Sequence, residues 1–222
     1  MATFRYKDRL VGSAYRHTIR IIELDSGTYD SPLSCSLTNA SLDEKPAYDA
    51  ISYCWGGQTP SAAITCNGAP FSITQNLHDA LRQFRSPERS VSLWADALCI
   101  NQEDIEEKNK QVPMMGRIYG QANEVKIWLG PEDEGTPAAA EALAELSRRA
   151  LHYSQLLSLP LSDLSNLTSQ RWAQAMTDAM SDLERGPSWD PLLRFLQNPW
   201  FNRVWGRSGG GHVPRTGFIA LR

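Results

Sequence analysis

The sequence predicts an α/β fold: a mostly parallel sheet with flanking helices, preceded by an N-terminal β-hairpin and carrying a helical insertion. Three observations predict it. Short apolar runs alternate with helical periods in the order strand–helix–strand–helix–strand between residues 48 and 129, and that order implies crossover connections and parallel neighbours. Residues 48–55 are so densely apolar that both faces of that strand are expected to be covered, as happens inside a parallel sheet. At 222 residues with 41% hydrophobic composition, the chain is long enough to bury a core without disulfides or a structural metal.

Taken in order, residues 18–24 are β-branched and largely alternating, and residues 33–37 alternate cleanly, with Asp25-Ser26-Gly27 and Asp30-Ser31-Pro32 as turn formers between them. A hairpin is expected there, within an extension spanning residues 1–46. Strand 48–55 follows and should lie centrally. Residues 64–66 and 71–73 flank Asn67-Gly68, the strongest short hairpin signal. Ser72 with Gln75 forms a candidate capping box for a helix whose apolar period is Leu77, Ala80, Leu81 and Phe84. Residues 91–96 return to strand. Asp104 and Glu107 box the next helix, whose stripe reads Ile105, Val112, Met115, Ile118 and Tyr119, with Pro113 expected to kink it. Residues 125–129 form another strand. Helical patterns then dominate from about 136 to 190: Leu143, Leu146, Ala150 and Leu151 share one face, and Trp172, Met176, Met180 and Leu183 another, around a Leu/Ser-rich stretch at 156–168. Asp190-Pro191 and Asn198-Pro199 open two further helices. Residues 206–222 are Gly-rich, lack acidic residues and show no period, so no regular structure is expected there.

Composition excludes several classes. A net charge of −3 gives no basic footprint for nucleic acid. No apolar run reaches the length of a membrane span, and the charged amino terminus has no signal-peptide core. Cys35, Cys54, Cys66 and Cys99 form no paired motif and no His stands at metal spacing, so a reduced, cytoplasmic protein without a metal site is expected.

The order Tyr48-Asp49-Ala50-Ile51-Ser52-Tyr53-Cys54-Trp55-Gly56 resembles the opening motif of the fungal heterokaryon-incompatibility (HET) domain. Leu93-Trp94-Ala95-Asp96-Ala97-Leu98-Cys99-Ile100-Asn101-Gln102 is similar to that family's most specific block. Asn76-Leu77, Ala80-Leu81, Glu107, Gln111-Val112, Met115, Ile118-Tyr119, Ala122, Trp128-Leu129-Gly130 and the closing Pro199-Trp200-Phe201-Asn202-Arg203-Val204-Trp205 match in order and spacing. The resemblance implies a domain at 47–205 with a flavodoxin/TIR-like sheet and a role in fungal non-self recognition and regulated cell death. It implies action by assembly, through self-association or with another HET or signalling protein, with NAD as the candidate substrate and no other cofactor. The contrasting expectation is a non-enzymatic adaptor that signals by homotypic contacts. One departure bears on activity: Ser208 and Gly209 stand where the closing motif has Gln-Glu. The departure reads as a shifted frame, a retained intron or an early stop, and so as a truncated, inactive product.

Candidate ligand-binding residues are Tyr53, Trp55, Gly56, Asp96, Asn101 and Gln102, where the parallel strands end and open sheets present their ligand crevice. Asp96 and Glu107 are the candidate catalytic carboxylates. Asp96 either binds a ribose hydroxyl or orients a base, or serves as a cap. Asn101 either lines a pocket or caps the next helix. Glu103, Asp104 and Glu106 read as an acidic first turn that suits the helix dipole. Cys54 and Cys99 lack a partner base and read as packing residues, as do most of the tryptophans.

Overall fold

The computed structural model describes residues 4–55, 59–156, 177 and 190–202. Its strands are β1 (Thr18–Leu24), β2 (Ser34–Ser41), β3 (Asp49–Tyr53), β4 (Ala62–Cys66), β5 (Ala69–Ile73), β6 (Val91–Trp94) and β7 (Val125–Trp128). They form one seven-stranded sheet in the order β5-β4-β2-β1-β6-β3-β7. β3 lies between β6 and β7 and is parallel to both. These three strands are the 91–96, 48–55 and 125–129 segments of the sequence, adjacent and parallel as their helical connections require. β2 and β4 are also parallel, with Cys35 opposite Cys66. The remaining junctions, β1–β2, β1–β6 and β4–β5, are antiparallel.

β3 is central among the parallel strands, but the middle of the whole sheet belongs to β1. The hairpin β1–β2 is registered over its full length, from Thr18 opposite Ser41 to Leu24 opposite Cys35. It joins the parallel trio through β1 and β6, with Glu23 opposite Ser92. The position explains the burial of β1, where Ile19, Arg20, Ile21 and Ile22 are consecutive buried residues. A strand with neighbours on both edges and both faces covered has no solvent side on which to alternate.

β4 and β5 turn on Asn67-Gly68, both at positive φ (51° and 77°). That pair of left-handed residues matches the right-handed twist of the strands it joins. β5 then stays extended through Ile73, so Ser72 is a strand residue opposite Ala63 rather than a cap. The cap of α1 (Gln75–Phe84) is Thr74, whose hydroxyl accepts from the Leu77 amide at 3.3 Å. Leu77, Ala80 and Leu81 face the core. After β6 come the short α2 (Asp96–Cys99) and α3 (Ile105–Gln111), the latter capped by Asp104 through the Glu107 amide at 3.1 Å. Pro113 lies in a 3-10 turn, Val112–Met114, that separates α3 from α4 (Met115–Gln121).

The inward stripe of α3 and α4 differs from the apolar one expected. Ile105 is 71% exposed and Val112 37%. Glu107, Gln111, Met115 and Ile118 are buried instead. Gln111 Nε2 donates to the Thr18 carbonyl at 2.9 Å, and Glu107 has a cationic partner described below. Polar residues at i and i+4 thus replace aliphatic ones, Glu107 with both oxygens bonded inside the sheet–helix interface and Gln111 through its amide nitrogen, its Oε1 having no partner among the described residues. Trp94, Tyr48 and Tyr53 are the bulkiest fully buried side chains. Tyr48 discharges its hydroxyl onto the Ile118 carbonyl at 2.6 Å.

Contacts divide the chain into two compact units, one comprising the sheet and its helices and the other running from Glu132 to Phe201. In the second, α5 (Thr136–Leu156) starts behind Asp133, whose carboxylate accepts from the Gly135 amide at 3.0 Å and the Thr136 hydroxyl at 2.7 Å. Among the helix residues whose burial is described, Ala139 and Ala142 are fully buried, while Leu143 and Leu146 are half-buried. α6 (Asp190–Leu196) buries Leu192 and exposes Leu193 and Leu196. A 3-10 turn, Pro199–Asn202, then sets Phe201 edge-on to both Phe195 and Trp200. Trp172, Met176, Met180, Leu183, nearly all of 156–168 and the segment 206–222 lie outside the described residues.

Candidate functional site

The site is built where β3 and β6 end. β3 delivers Tyr53 as its last residue and Trp55 two positions on; β6 is followed by Ala95 and by Asp96 at the start of α2. Trp55 Nε1 donates to both oxygens of Asp96, each at 2.9 Å. Asp96 Oδ1 also accepts from the Ala97 amide at 2.9 Å. Gln102 Nε2 donates to the Asp96 carbonyl at 2.9 Å. Asn101 does not cap α3; its side chain accepts from the Glu103 amide at 3.2 Å and shapes the turn before Asp104 takes the cap. Tyr53, Trp55, Asn101 and Gln102 all line one cavity of about 740 Å³, with Asp96 held against it by the indole. Four of the sequence-derived residues therefore line one cavity, Asp96 is joined to them through Trp55 and Gln102 without lining it, and Gly56 lies outside the described residues.

Two further segments complete the walls. One is the end of β5 with the junction to α1, including Phe71, Ser72 and Thr74. Asn76, in the first turn of α1, fixes this junction beside the ends of β3 and β7. It donates to the Cys54 carbonyl at 2.8 Å and accepts from Trp128 Nε1 at 2.8 Å. The other wall is the amino-terminal segment, through Phe4, Arg5, Tyr6, Asp8 and Arg9. Phe4 packs edge-on to Tyr6 and Phe71, with ring centroids 5.0 and 4.6 Å apart. Sequence reasoning missed this segment. Its one signal is the alternation Phe4, Tyr6 among charged residues, which is short and polar enough to pass for a solvated terminus.

Glu107 stands behind the site rather than in it. It is fully buried and takes a bidentate guanidinium contact from Arg20, at 2.5 and 3.0 Å. It also accepts from the amides of Asn101 at 2.8 Å and Leu10 at 3.2 Å. Arg20 completes its own donors on the carbonyls of Cys99 at 2.9 Å and Asp8 at 2.6 Å, and stacks 4.3 Å from the centre of the Tyr6 ring. The Tyr6 hydroxyl donates to the carbonyls of Leu98 and Ile100 at 3.2 and 3.3 Å. A buried carboxylate with every lone pair engaged and a paired cation is a structural element. This one ties the amino-terminal wall to β1 and to the loop carrying Asn101.

The cavity is electrostatically mixed. Asp104 lies at its rim, bonded to Arg9, and that hydrogen bond holds its carboxyl well below the usual range. Arg9 also pairs with Glu106 at 3.0 Å. Glu103 lines the cavity and is exposed. Burial pushes the Cys99 thiol up to about 12, so it is a packed thiol and not a nucleophile at neutral pH. Among the described residues no group of His, Cys, Asp and Glu is arranged to hold a metal ion. Aromatic walls, two amides and charges of both signs suit a ligand with a planar ring and polar substituents.

Comparison with known proteins bears on what such a site belongs to. The family model described as heterokaryon incompatibility protein (HET) matches residues 48–207. Heterokaryon incompatibility protein 6, OR allele, of Neurospora crassa is 28% identical over 211 residues, covering 84% of this chain and 31% of the relative. The chain thus spans about a third of the length of that relative. No solved structure matches. The family match takes in well over half of the chain and contains Tyr53, Trp55, Asp96, Asn101 and Gln102. The chain belongs to the heterokaryon incompatibility (HET) family.

Proposed function

We propose that this chain is a ligand-binding recognition domain of fungal heterokaryon incompatibility. In this reading it binds a nucleotide such as NAD in the cavity and signals toward regulated cell death in the cytoplasm by assembling with itself or another HET protein. The observation that carries this reading is the convergence of Tyr53, Trp55, Asn101 and Gln102 on one cavity, with Asp96 clamped to Trp55. A crevice beyond the carboxyl ends of parallel strands is where open sheets bind ligands.

Binding is better supported than hydrolysis. Cleaving a glycosidic bond to nicotinamide requires a carboxylate free to support the developing positive charge. Asp96 spends both oxygens on the Trp55 indole and one also on its own helix amide. Glu107 is buried against Arg20, and Ser208 and Gly209 occupy the positions where the family's closing motif has Gln-Glu. Incubation of the purified chain with NAD should therefore give saturable quenching of tryptophan fluorescence without release of nicotinamide. Trp55→Ala should weaken the binding by about tenfold or more, in line with loss of a stacking or anchoring aromatic. Robust nicotinamide release by the unmodified chain would overturn the non-hydrolytic reading, and absence of binding would overturn the site.

A purely adaptor role draws support from Ile105 on α3 and Val112 in the turn that follows it, both exposed. Light scattering distinguishes the two readings. An adaptor associates without ligand and loses association in Ile105→Glu, whereas the ligand-dependent domain associates only with NAD present.

A further inference from the structure

A second cleft lies away from this cavity, between the β1–β2 connection and the carboxyl end of α1. It has a volume of about 460 Å³ and is lined by Gly27, Thr28, Tyr29, Arg82, Arg85 and neighbours. Arg85 is buried and directs its terminal nitrogens at the carbonyls of Pro32 (3.1 Å), Ser31 (3.0 Å), Tyr29 (3.3 Å) and Thr28. All of these acceptors are neutral. Arg82 stands beside it, with its guanidinium 5.0 Å from the centre of the Tyr29 ring. Its Nε is shielded from solvent and has no hydrogen-bond partner.

Burial lowers the affinity of Arg85 for its proton, and repulsion from the neighbouring Arg82 guanidinium adds to it. Among the described residues neither makes an ion pair with a carboxylate. A helix carboxyl end favours basic residues and accounts for one cation in the last turn. It does not account for a second cation sharing a partly buried cleft with the first. The close approach is also accommodated at the backbone. A Cβ on Gly27 would stand 3.2 Å from an Arg85 terminal nitrogen and 3.1 Å from the Ser31 hydroxyl, so a larger residue there would press on the guanidinium.

We propose that this cleft is a binding site for the phosphoryl group of a small phosphomonoester, with Arg82 as its principal ligand and Arg85 supplying a fixed second positive charge. A dianion in this cleft, bound through the terminal nitrogens of Arg82, converts the repulsion between the two guanidiniums into two attractions. Half of Tyr29 remains exposed and offers a ring for the organic part of the ligand. The site is independent of the proposed NAD cavity, since the two share no lining residue.

The test is calorimetric titration of the whole chain at constant ionic strength with phenyl phosphate, inorganic phosphate and phenol, beside Arg82→Gln and Arg82→Lys. Arg82 makes no ion pair or hydrogen bond among the described residues, so Arg82→Gln should keep the far-ultraviolet circular dichroism of the native chain. Phenyl phosphate should bind saturably, weaken by tenfold or more in Arg82→Gln, consistent with loss of a charge-assisted hydrogen bond, and recover partly in Arg82→Lys. Equal affinity for inorganic phosphate supports the site and assigns the free ion as ligand; tighter binding of the ester supports it and assigns the organic phosphate. No saturable binding, phenol binding as tightly as the ester, or unchanged affinity in Arg82→Gln (an adventitious ion only) would each overturn the proposal.

Discussion

Glu107 and Arg20 illustrate how a residue's chemistry and its place in the fold combine. Each is fully desolvated or nearly so, and each has its hydrogen-bonding groups engaged by the other and by the backbone. Removing one partner leaves the other charge buried alone, which costs about 3–5 kcal/mol. Glu107→Ala should lower stability by that order in urea denaturation. Replacing both, as Arg20→Met with Glu107→Leu, should cost less than either single change, because no orphan charge remains. Glu107 was identifiable from the sequence as an unusual carboxylate, since it falls within a matching family block. Its role was not, because the cation that claims it lies 87 positions away in β1. Asp96 was legible for the opposite reason: its position just after a strand is local, and its partner Trp55 sits at the end of the neighbouring strand. Cys99 gives a pH prediction at the same scale. Its pKa rises to about 12 on folding because the thiolate is denied water. The unfolded chain then releases that proton above ~8.5 while the folded chain holds it. Stability should be unaffected by this group below ~8.5 and fall above it, approaching ~1.4 kcal/mol per pH unit up to the folded pKa. Cys99→Ala should flatten that alkaline slope in chemical denaturation.

Elements were legible where their signals are local. Asn67-Gly68 specifies its hairpin because only residues at ease with positive φ close a two-residue turn. Pro113 breaks α3 from α4 because it cannot supply an amide to the preceding turn. The start of α1 was displaced by two residues because Ser72, Thr74 and Gln75 all belong to cap-compatible patterns, and only the pairing of β5 with β4 decides how far the chain stays extended. Thr74→Ala should therefore cost about 1 kcal/mol in equilibrium unfolding, while Ser72→Ala should cost far less. Equal costs would place the cap elsewhere. The α3–α4 face was misread for a different reason. Periodicity assigns inward positions by hydrophobicity, and here the inward positions belong to Glu107 and Gln111, whose partners lie in other elements.

In the sheet-bearing unit, the family match begins at residue 48 while the cavity is walled in part by residues 4–9. The parallel trio and its connections were legible because each strand is a short apolar run punctuated by turns. The placement of the preceding hairpin in the middle of the same sheet was not, since strand order is set by pairing between distant segments. Tyr6 measures how far the two regions depend on each other. Tyr6→Ala removes the ring under Arg20, the contact with Phe4 and Phe71, and two hydrogen bonds across more than 90 residues. It should lower stability by less than the about 3–5 kcal/mol of truncating a fully buried aromatic, since Tyr6 is half-buried, and should also weaken ligand binding in the cavity, measured by the same fluorescence titration. Full retention of affinity would show that the amino-terminal wall is dispensable to the site.

The interleaving of strands also has a consequence in time. β3 meets no neighbour close to it in sequence: its partners are β6, which begins at Val91, and β7, which begins at Val125. β1, likewise, has β2 beside it early but must wait for β6 on its other edge. As the polypeptide leaves the ribosome, the apolar segment 49–53 is therefore without any partner until about 40 further residues have been made, and without its second until more than 70 have. Pairings so distant in sequence are slow to form, and an unpaired apolar strand is the species on which aggregation starts. Nascent chains stalled before residue 91 should accordingly need a chaperone that those stalled well beyond residue 128 do not.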